Sequence, residues 1–260
     1  MLFNCFFAYL DRIFFLNINI WNFSFQSFFK EYAEIFLIKV VLTHPLRTIR
    51  GFRKYRRFIR GHKYEKYVLI PDEYSFLSRI KRQRVKPLVG LGFCLKPDNS
   101  EKSSSCPSGR ANHDCLYLKR GKTEQVCSSC AIHKIAAKCL DIGCKVYIMT
   151  SAQDIARDFL IPQLKSKKFP SVILLLCPYS IQAIILPLII CDVDMLLLAY
   201  ESGYCRDYQQ WRAADKGKKE ERTEISKESW ERLLDLLEKS TGVKSEFQSF
   251  RREGNIFYPK

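Results

Sequence analysis

From Val85 onward the chain alternates short apolar runs with stretches whose apolar residues recur every three or four positions. The runs Val85–Phe93 (VKPLVGLGF), Lys145–Met149 (KVYIM), Ser171–Leu176 (SVILLL) and Met195–Tyr200 predict buried strands. Between them, a helix is expected over 131–140, opening after Cys127 and Cys130 and stopped by Gly143. A second should start at Ser151, where Asp154 supplies a capping-box-like partner, and a third at Pro178, which suits a first helical turn. Strand–helix alternation of this kind predicts an α/β fold: a mostly parallel sheet with helices on both faces, carrying a cysteine-rich loop region and an N-terminal amphipathic helical arm.

Residues 169–191 hold no charged side chain and have the length of a membrane span, but Pro170, Pro178 and Pro187 interrupt them. A central parallel strand followed by its covering helix is also continuously apolar, and that is the reading taken here. Farther along, KGKKEER at 216–222 reads as an exposed charged connector. Ser226 should cap a helix with the stripe Trp230, Leu233, Leu234 and Leu237, closed by Gly242. The implied organisation is a membrane-associating arm over 1–62, a cysteine-rich metal-binding domain over 63–212, and a linker with an amphipathic helix over 213–260.

The arm is aromatic and apolar without forming a clean span. Asn17, Asn19, Asn22 and Gln26 break the uncharged run 13–29, and Lys39 breaks the next one. Neither a basic lead nor a small-residue cleavage site marks a secretory signal, and a start codon placed too far upstream would give the same first 30 or so residues. A basic run follows: Arg47, Arg50, Arg53, Lys54, Arg56, Arg57 and Arg60, with Leu46, Ile49, Phe52 and Ile59 at near-helical spacing between them. Apolar and cationic faces on one helix suit an anionic bilayer surface on the cytoplasmic side of the cell membrane. A helix packed on the domain with solvated arginines has the same pattern.

Composition sharpens this picture in two ways. The net charge is +16, from 43 Lys+Arg against 27 Asp+Glu, which favours anionic partners, either phospholipid or nucleic acid. A second cluster, Arg79, Lys81, Arg82, Arg84 and Lys86, could contact phosphates or simply face water. Cysteines number 11, and ten of them lie between Cys94 and Cys205. An odd count in a chain of this size argues for reduced thiols acting as ligands rather than a closed disulfide set.

The sharpest motif is Cys127-Ser-Ser-Cys130, whose spacing lets two thiolates reach one metal or two corners of a cluster. Cys94, Cys106 and Cys115 precede it, in a loop with little core-forming pattern that a metal would hold. A thioredoxin-like dithiol is the alternative for the pair. Cys94, Cys177 and Cys205 each follow a predicted strand, so in a parallel sheet they emerge on the ligand-binding edge. Cys177 also precedes Pro178 at a helix start. Cys139, Cys144 and Cys191 fit buried apolar positions, and Cys5 belongs to the arm. His113 could complete a zinc site or lie in solvent, and His133 is equally ambiguous.

With these residues in view, the chain resembles the archaeal and bacterial "domain of unknown function" family number one hundred and sixteen, described by seven shared cysteines and suspected membrane association. The resemblance runs from about Val89 to Cys205. It rests on FCL at 93–95, CPSG at 106–109, C-x-x-C-x-I at 127–132, Gly143, KVYI at 145–148 and LLCP at 175–178. It implies ligation by Cys94, Cys106, Cys115, Cys127, Cys130, Cys177 and Cys205, with Cys115 and Cys205 matched by order alone and serines in a C-x-x-C region where the family often has glycine.

The expectation is therefore a cysteine-ligated metal protein, with an iron–sulfur cluster or zinc, at the membrane surface and with a possible redox or cofactor-related role. A zinc-stapled nucleic-acid-binding module and a polytopic membrane protein with spans near 13–42 and 169–191 are the alternatives. Seven thiols exceed the four that one centre needs, so there are two sites or some thiols stay free. No phosphate loop, metalloprotease helix or nucleotide fingerprint marks an enzyme.

Overall fold

A computed structural model describes residues 38–61, 67–97, 105–206, 208–219, 221–240 and 247–260. The expected N-terminal stretch 1–37, Cys5 within it and Gly242 lie outside the described residues. Strands β1 (Tyr67–Ile70), β2 (Leu88–Gly92), β3 (Lys145–Met149), β4 (Ser171–Leu176), β5 (Asp194–Ser202), β7 (Phe250–Glu253) and β8 (Ile256–Pro259) form one sheet in the order β1-β5-β4-β2-β3-β8-β7, and β6 (Glu224–Ile225) pairs with β5. The helices are α1 (Pro45–Gly61), α2 (Glu73–Gln83), α3 (Leu116–Arg120), α4 (Ala131–Ile142), α5 (Ala152–Ile155), α6 (Ile161–Ser166), α7 (Pro178–Ile190), α8 (Tyr208–Asp215) and α9 (Lys227–Lys239). A π-helical segment, Ala156–Leu160, joins α5 to α6.

The centre of the sheet is parallel, with β2 hydrogen-bonded to both β3 and β4, and β4 to β5; β1 and β8 flank it antiparallel. Period-2 alternation divides its residues between two cores. Val89, Leu91, Ile148, Ile173, Leu175 and Leu198 face α2, α4 and α9. Leu88, Tyr147, Val172, Leu174 and Leu197 face α5, α6 and α7. Covering both faces removes any need for polar positions, which is why β4 reads as an unbroken apolar run. The stretch 169–191 is thus β4 and the 13-residue α7, a strand and its covering helix.

Local signals sit where the pattern places them. Ser151 Oγ accepts from Asp154 N, Ser226 Oγ accepts from Ser229 N, and Gly143 ends α4 in the left-handed region. In α9 the fully buried residues are Leu233, Leu236 and Leu237. In the basic segment 79–86, Arg79 pairs with Asp194 at 2.7 Å, Lys86 donates to Ser240 O at 3.1 Å, and Lys81 and Arg82 are exposed.

Topology positions the site. The β2–β3 crossover carries α4 over one face, and the crossovers through β4 to β5 carry α5, α6 and α7 over the other. The direction of winding reverses between adjacent strands β2 and β4, as right-handed crossovers require. Such a reversal opens a crevice beyond the strands' carboxyl ends, where α/β folds bind ligands. Cys94 follows β2 and Cys177 follows β4.

Candidate metal centre

Seven cysteines cluster beyond the carboxyl ends of β2, β4 and β5, and their mutual electrostatic influence sorts them into two groups. The first is built on a buried lysine. Chain reversal after β2 turns Lys96 inward to 1% exposure. Its ammonium donates to Gly109 O (2.9 Å), Asn112 O (2.8 Å) and Asn112 Oδ1 (2.8 Å), so the 106–115 loop is wound around one cation. Asn112 Oδ1 also accepts from Asp114 N, and Asn112 Nδ2 donates to Ser108 O. Cys106, Cys115 and Cys130 are the thiols that act most strongly on Lys96, and Cys127 neighbours Cys130.

Burial lowers the Lys96 pKa to about 8, and the surrounding thiols oppose that fall. The nearest carboxylate, Asp114, is engaged elsewhere, with Lys119 at 2.8 Å and Arg252 at 2.6 Å. Among the described residues Lys96 has no carboxylate ion pair. Two of the thiols stand at helix starts. The N–H groups of Tyr117 and Leu118 face the Cys115 sulfur, and those of Ile132 and His133 face Cys130. Burial outweighs these donors and raises both thiol pKa values, so each thiol stays protonated unless a cation takes its place.

The second group is Cys94, Cys177 and Cys205, all buried. The Cys177 thiol is hydrogen-bonded to Cys205, and both sit in the electrostatic reach of Cys94. That hydrogen bond, followed by burial, pushes the Cys177 pKa far up; burial raises Cys94. Lys219 Nζ approaches Cys205 Sγ at 3.8 Å, and the Thr223 and Tyr200 hydroxyls, which donate to Gly203 O (3.0 Å) and Leu175 O (2.6 Å), lie beside Cys94. Gly92 permits that crowding, because a Cβ there would meet Tyr200 Oη at 2.6 Å and Cys94 Sγ at 3.1 Å.

Residues 216–219 and 221–223 join the two groups. Lys216, Lys218 and Glu221 are exposed, as expected of a charged connector, but Lys219 and Arg222 are only half-buried and Thr223 is fully enclosed. Arg110, inside the 106–115 loop, donates to Lys219 O (2.7 Å) and to Glu221 O. Arg222 donates to Ser129 O (2.8 Å) within the C-x-x-C turn, and Thr223 N donates to Cys94 O (3.0 Å). The segment is therefore a strap over the cysteine region.

The remaining candidates separate cleanly. Cys139, Cys144 and Cys191 are fully enclosed in the two cores, away from both groups. His133 Nδ1 lies 3.0 Å from Cys127 O, and its ring meets Tyr117 edge-on. His113 turns away from the cysteines: Nδ1 lies 2.6 Å from Ile148 O and Nε2 3.1 Å from Thr150 Oγ1. His113, Asp154 and Asp158 do converge, with ligand atoms within 4.8 Å of one another. Their charge is already met by Arg157 on Asp154, and their oxygens by Thr150, Tyr147 and Asn255. No cysteine trio among the described residues is gathered that closely.

On α1, Gly51 and Tyr55 are buried and Phe52 half-buried against the α7 side, so Phe52 belongs to the packed face. Ile38, Leu42, Leu46 and Ile49 remain exposed, beside exposed Arg47, Arg50, Arg53, Lys54 and Arg57; Arg56 is half-buried. The side chains of Ile59 and Arg60 lie outside the described residues. Arg47, Arg50, Lys54 and Lys167 line a cleft of about 230 Å³ against α7. Among the described residues no helix is long and apolar enough to cross a membrane. Compared with family models, with curated proteins and with solved structures, the chain matches none.

Proposed function

We propose that this chain is an iron–sulfur protein working at an anionic membrane surface, with Cys106, Cys115, Cys127 and Cys130 as the ligands of its cluster and electron transfer as its role. The observation that carries the reading is Lys96: a fully enclosed ammonium, hydrogen-bonded to the loop that bears two of the cysteines, with Asp114 already paired to Lys119 and Arg252 and the thiols of Cys106, Cys115 and Cys130 around it. An uncompensated buried cation is costly, and a thiolate-bound cluster with net negative charge supplies the missing counter-charge. The helix-start N–H groups at Cys115 and Cys130 would donate to the same thiolates, the interaction that tunes cluster potential.

Sulfur spacing favours a cluster over a single zinc ion. Tetrahedral zinc with four thiolates needs sulfurs roughly 3.8 Å apart, closer than the 4.8 Å that no cysteine trio among the described residues meets. A cubane spreads its cysteine sulfurs to roughly 6 Å. Membrane placement is supported by the four exposed apolar residues of 38–49 interleaved with cations, an arrangement that combines apolar insertion with attraction to acidic head groups.

The test is anaerobic purification of the full chain, with an absorption spectrum and analysis of iron, sulfide and zinc, followed by sedimentation with anionic vesicles. Iron and sulfide together, with broad absorption near roughly 400 nm, are expected. Stoichiometric zinc without sulfide would replace the redox role with a structural one, and a folded chain free of metal would overturn the reading. Binding to neutral and anionic vesicles alike would remove the electrostatic part of the membrane assignment.

A further inference from the structure

Helix α1 carries its cations on two stripes, and only one of them borders the domain. Arg47, Arg50 and Lys54 recur at helical spacing beside Gly51, the residue through which α1 meets α7. A Cβ on Gly51 would stand 2.7 Å from Ile190 Cγ1 and 3.0 Å from its Cα, so glycine is what lets α1 close on the end of α7. With Lys167, just past α6, these three cations line a cleft of about 230 Å³. A water's share of volume is about 30 Å³, so the cleft has room for a phosphate group and several waters. Gln163 lines it too, at 1% exposure. Its Oε1 accepts from Phe169 N at 2.7 Å and its Nε2 donates to Cys191 O at 3.4 Å. One amide hydrogen of Gln163 is thereby left without an acceptor among the described residues.

The cleft holds more positive charge than the fold uses. The C-terminus of α7, with no basic residue in its own last turn, presents about half a negative charge there. Asp192 lies in the lining and Asp194 within electrostatic reach of Lys54, but both carboxylates are already shared by Arg79, at 3.5 and 2.7 Å. About two positive charges thus go unanswered among the described residues, and a phosphomonoester brings about −1.5 to −2 near neutral pH. Roughly a quarter turn around α1 from Arg47 and Arg50 stand Leu46 and Ile49, 68% and 51% exposed. A soluble anion has no use for apolar neighbours, whereas a lipid brings a headgroup to the cleft and acyl chains to Leu46 and Ile49. We infer that this cleft is a headgroup site for a phosphomonoester lipid, with Arg50 and Lys54 among the cations that hold its phosphate. The inference rests on the membrane part of the proposed function and sharpens it; the cluster plays no part.

Sedimentation of the full chain with vesicles tests it. The vesicles are phosphatidylcholine alone, or phosphatidylcholine with either phosphatidic acid or phosphatidylserine, the two acidic sets matched in zeta potential. Phosphatidic acid should bind about tenfold tighter than phosphatidylserine, the size of one charge-assisted hydrogen bond. Arg50→Gln/Lys54→Gln should abolish that preference. Arg53→Gln/Arg57→Gln, which removes the same charge from the outer stripe of the same helix, should weaken both by one factor and keep the preference. All four side chains are exposed, so both variants should fold. Equal binding of the wild type to the two acidic sets overturns the cleft site and leaves the membrane reading standing. A preference that survives in Arg50→Gln/Lys54→Gln does the same. Binding to neither acidic set overturns both. Calorimetry with inorganic phosphate is the last arm: saturation at micromolar phosphate, lost in Arg50→Gln/Lys54→Gln, would make a soluble phosphate the ligand and overturn the lipid.

Discussion

Replacing Lys96 with methionine removes the ammonium while keeping a long apolar stem. Two partly buried carbonyls, Gly109 O and Asn112 O, then lose their donor, while Asn112 Oδ1 keeps the one from Asp114 N. At about 2 kcal/mol for each acceptor left unpaired, the loss is about 4 kcal/mol. Part is returned, because methionine escapes the desolvation that holds Lys96 at about 8 instead of 10.5, worth about 3 kcal/mol. The metal-free variant at pH 7, where Lys96 is still charged, should therefore be less stable by about 1 kcal/mol. The damage should concentrate in 105–115, the segment wound around the ammonium. Urea denaturation gives the total, and amide hydrogen exchange across that segment gives its location. A metal-free variant as stable as wild type, with loop amides equally protected, would refute the view that the cation organises the loop. The variant should also retain less metal, because the proposed negatively charged centre would lose the enclosed cation beside it.

Two further expectations concern the scaffold. Gly51→Val brings a Cβ to 2.7 Å from Ile190 Cγ1 and 3.0 Å from its Cα. The gain in helix propensity over glycine is under about 1 kcal/mol. Overpacking costs about 1–3 kcal/mol, so α1 should lift from α7, with a net loss near 1–2 kcal/mol. Faster tryptic cleavage within 47–57 is the readout, and an unchanged digestion rate counts against close docking. The second concerns alkaline pH. Burial holds Cys144 and Cys191 at about 12, with Arg47 partly opposing at Cys191. Between the unfolded value near 9 and that folded value, these thiols are ionised only when unfolded. The unfolded state then binds fewer protons, and stability falls as pH rises from 9 toward 12, by up to about 4 kcal/mol per thiol. Cys144→Ala should flatten that slope in urea midpoints measured against pH, and an unaltered slope would show that Cys144 is not enclosed.

The sheet centre was legible because its strands are enclosed on both faces. After their first residues, Lys145 and Ser171, KVYIM and SVILLL are apolar and bounded by turn residues, and β3 and β4 occupy those spans. The edges were not. The hairpin of β7 and β8 starts with Phe250 followed by exposed Arg251, Arg252 and Glu253, an edge pattern that resembles a polar loop. Cys94, Cys177 and Cys205 could be brought together from sequence, because successive parallel strands end on one side. Their separation from Cys106, Cys115, Cys127 and Cys130 could not, since it depends on which strands are neighbours. Lys96 was hidden for a different reason: lysine is ordinarily exposed. The available hint was its position, two residues after Cys94 and directly before Pro97, where the chain must turn at the end of a buried strand. The strap was hidden because Lys216, Lys218 and Glu221 do face water, and much of the anchoring is done by its backbone carbonyls.

That anchoring has a bearing on how the protein is made. Arg110 holds the carbonyl of Glu221, 111 residues later in the chain, and Thr223 closes onto Cys94. Such distant contacts form slowly, because a long loop must close before they contribute. On the ribosome, where synthesis runs at about 5–20 residues per second, the cysteines of 94–130 emerge several seconds before their cover does. Through that interval the nascent thiols stay open to solvent, and so to a donor that delivers a preassembled centre. The strap closes only afterward, so the proposed centre would load early in the protein's life and exchange slowly in the finished molecule.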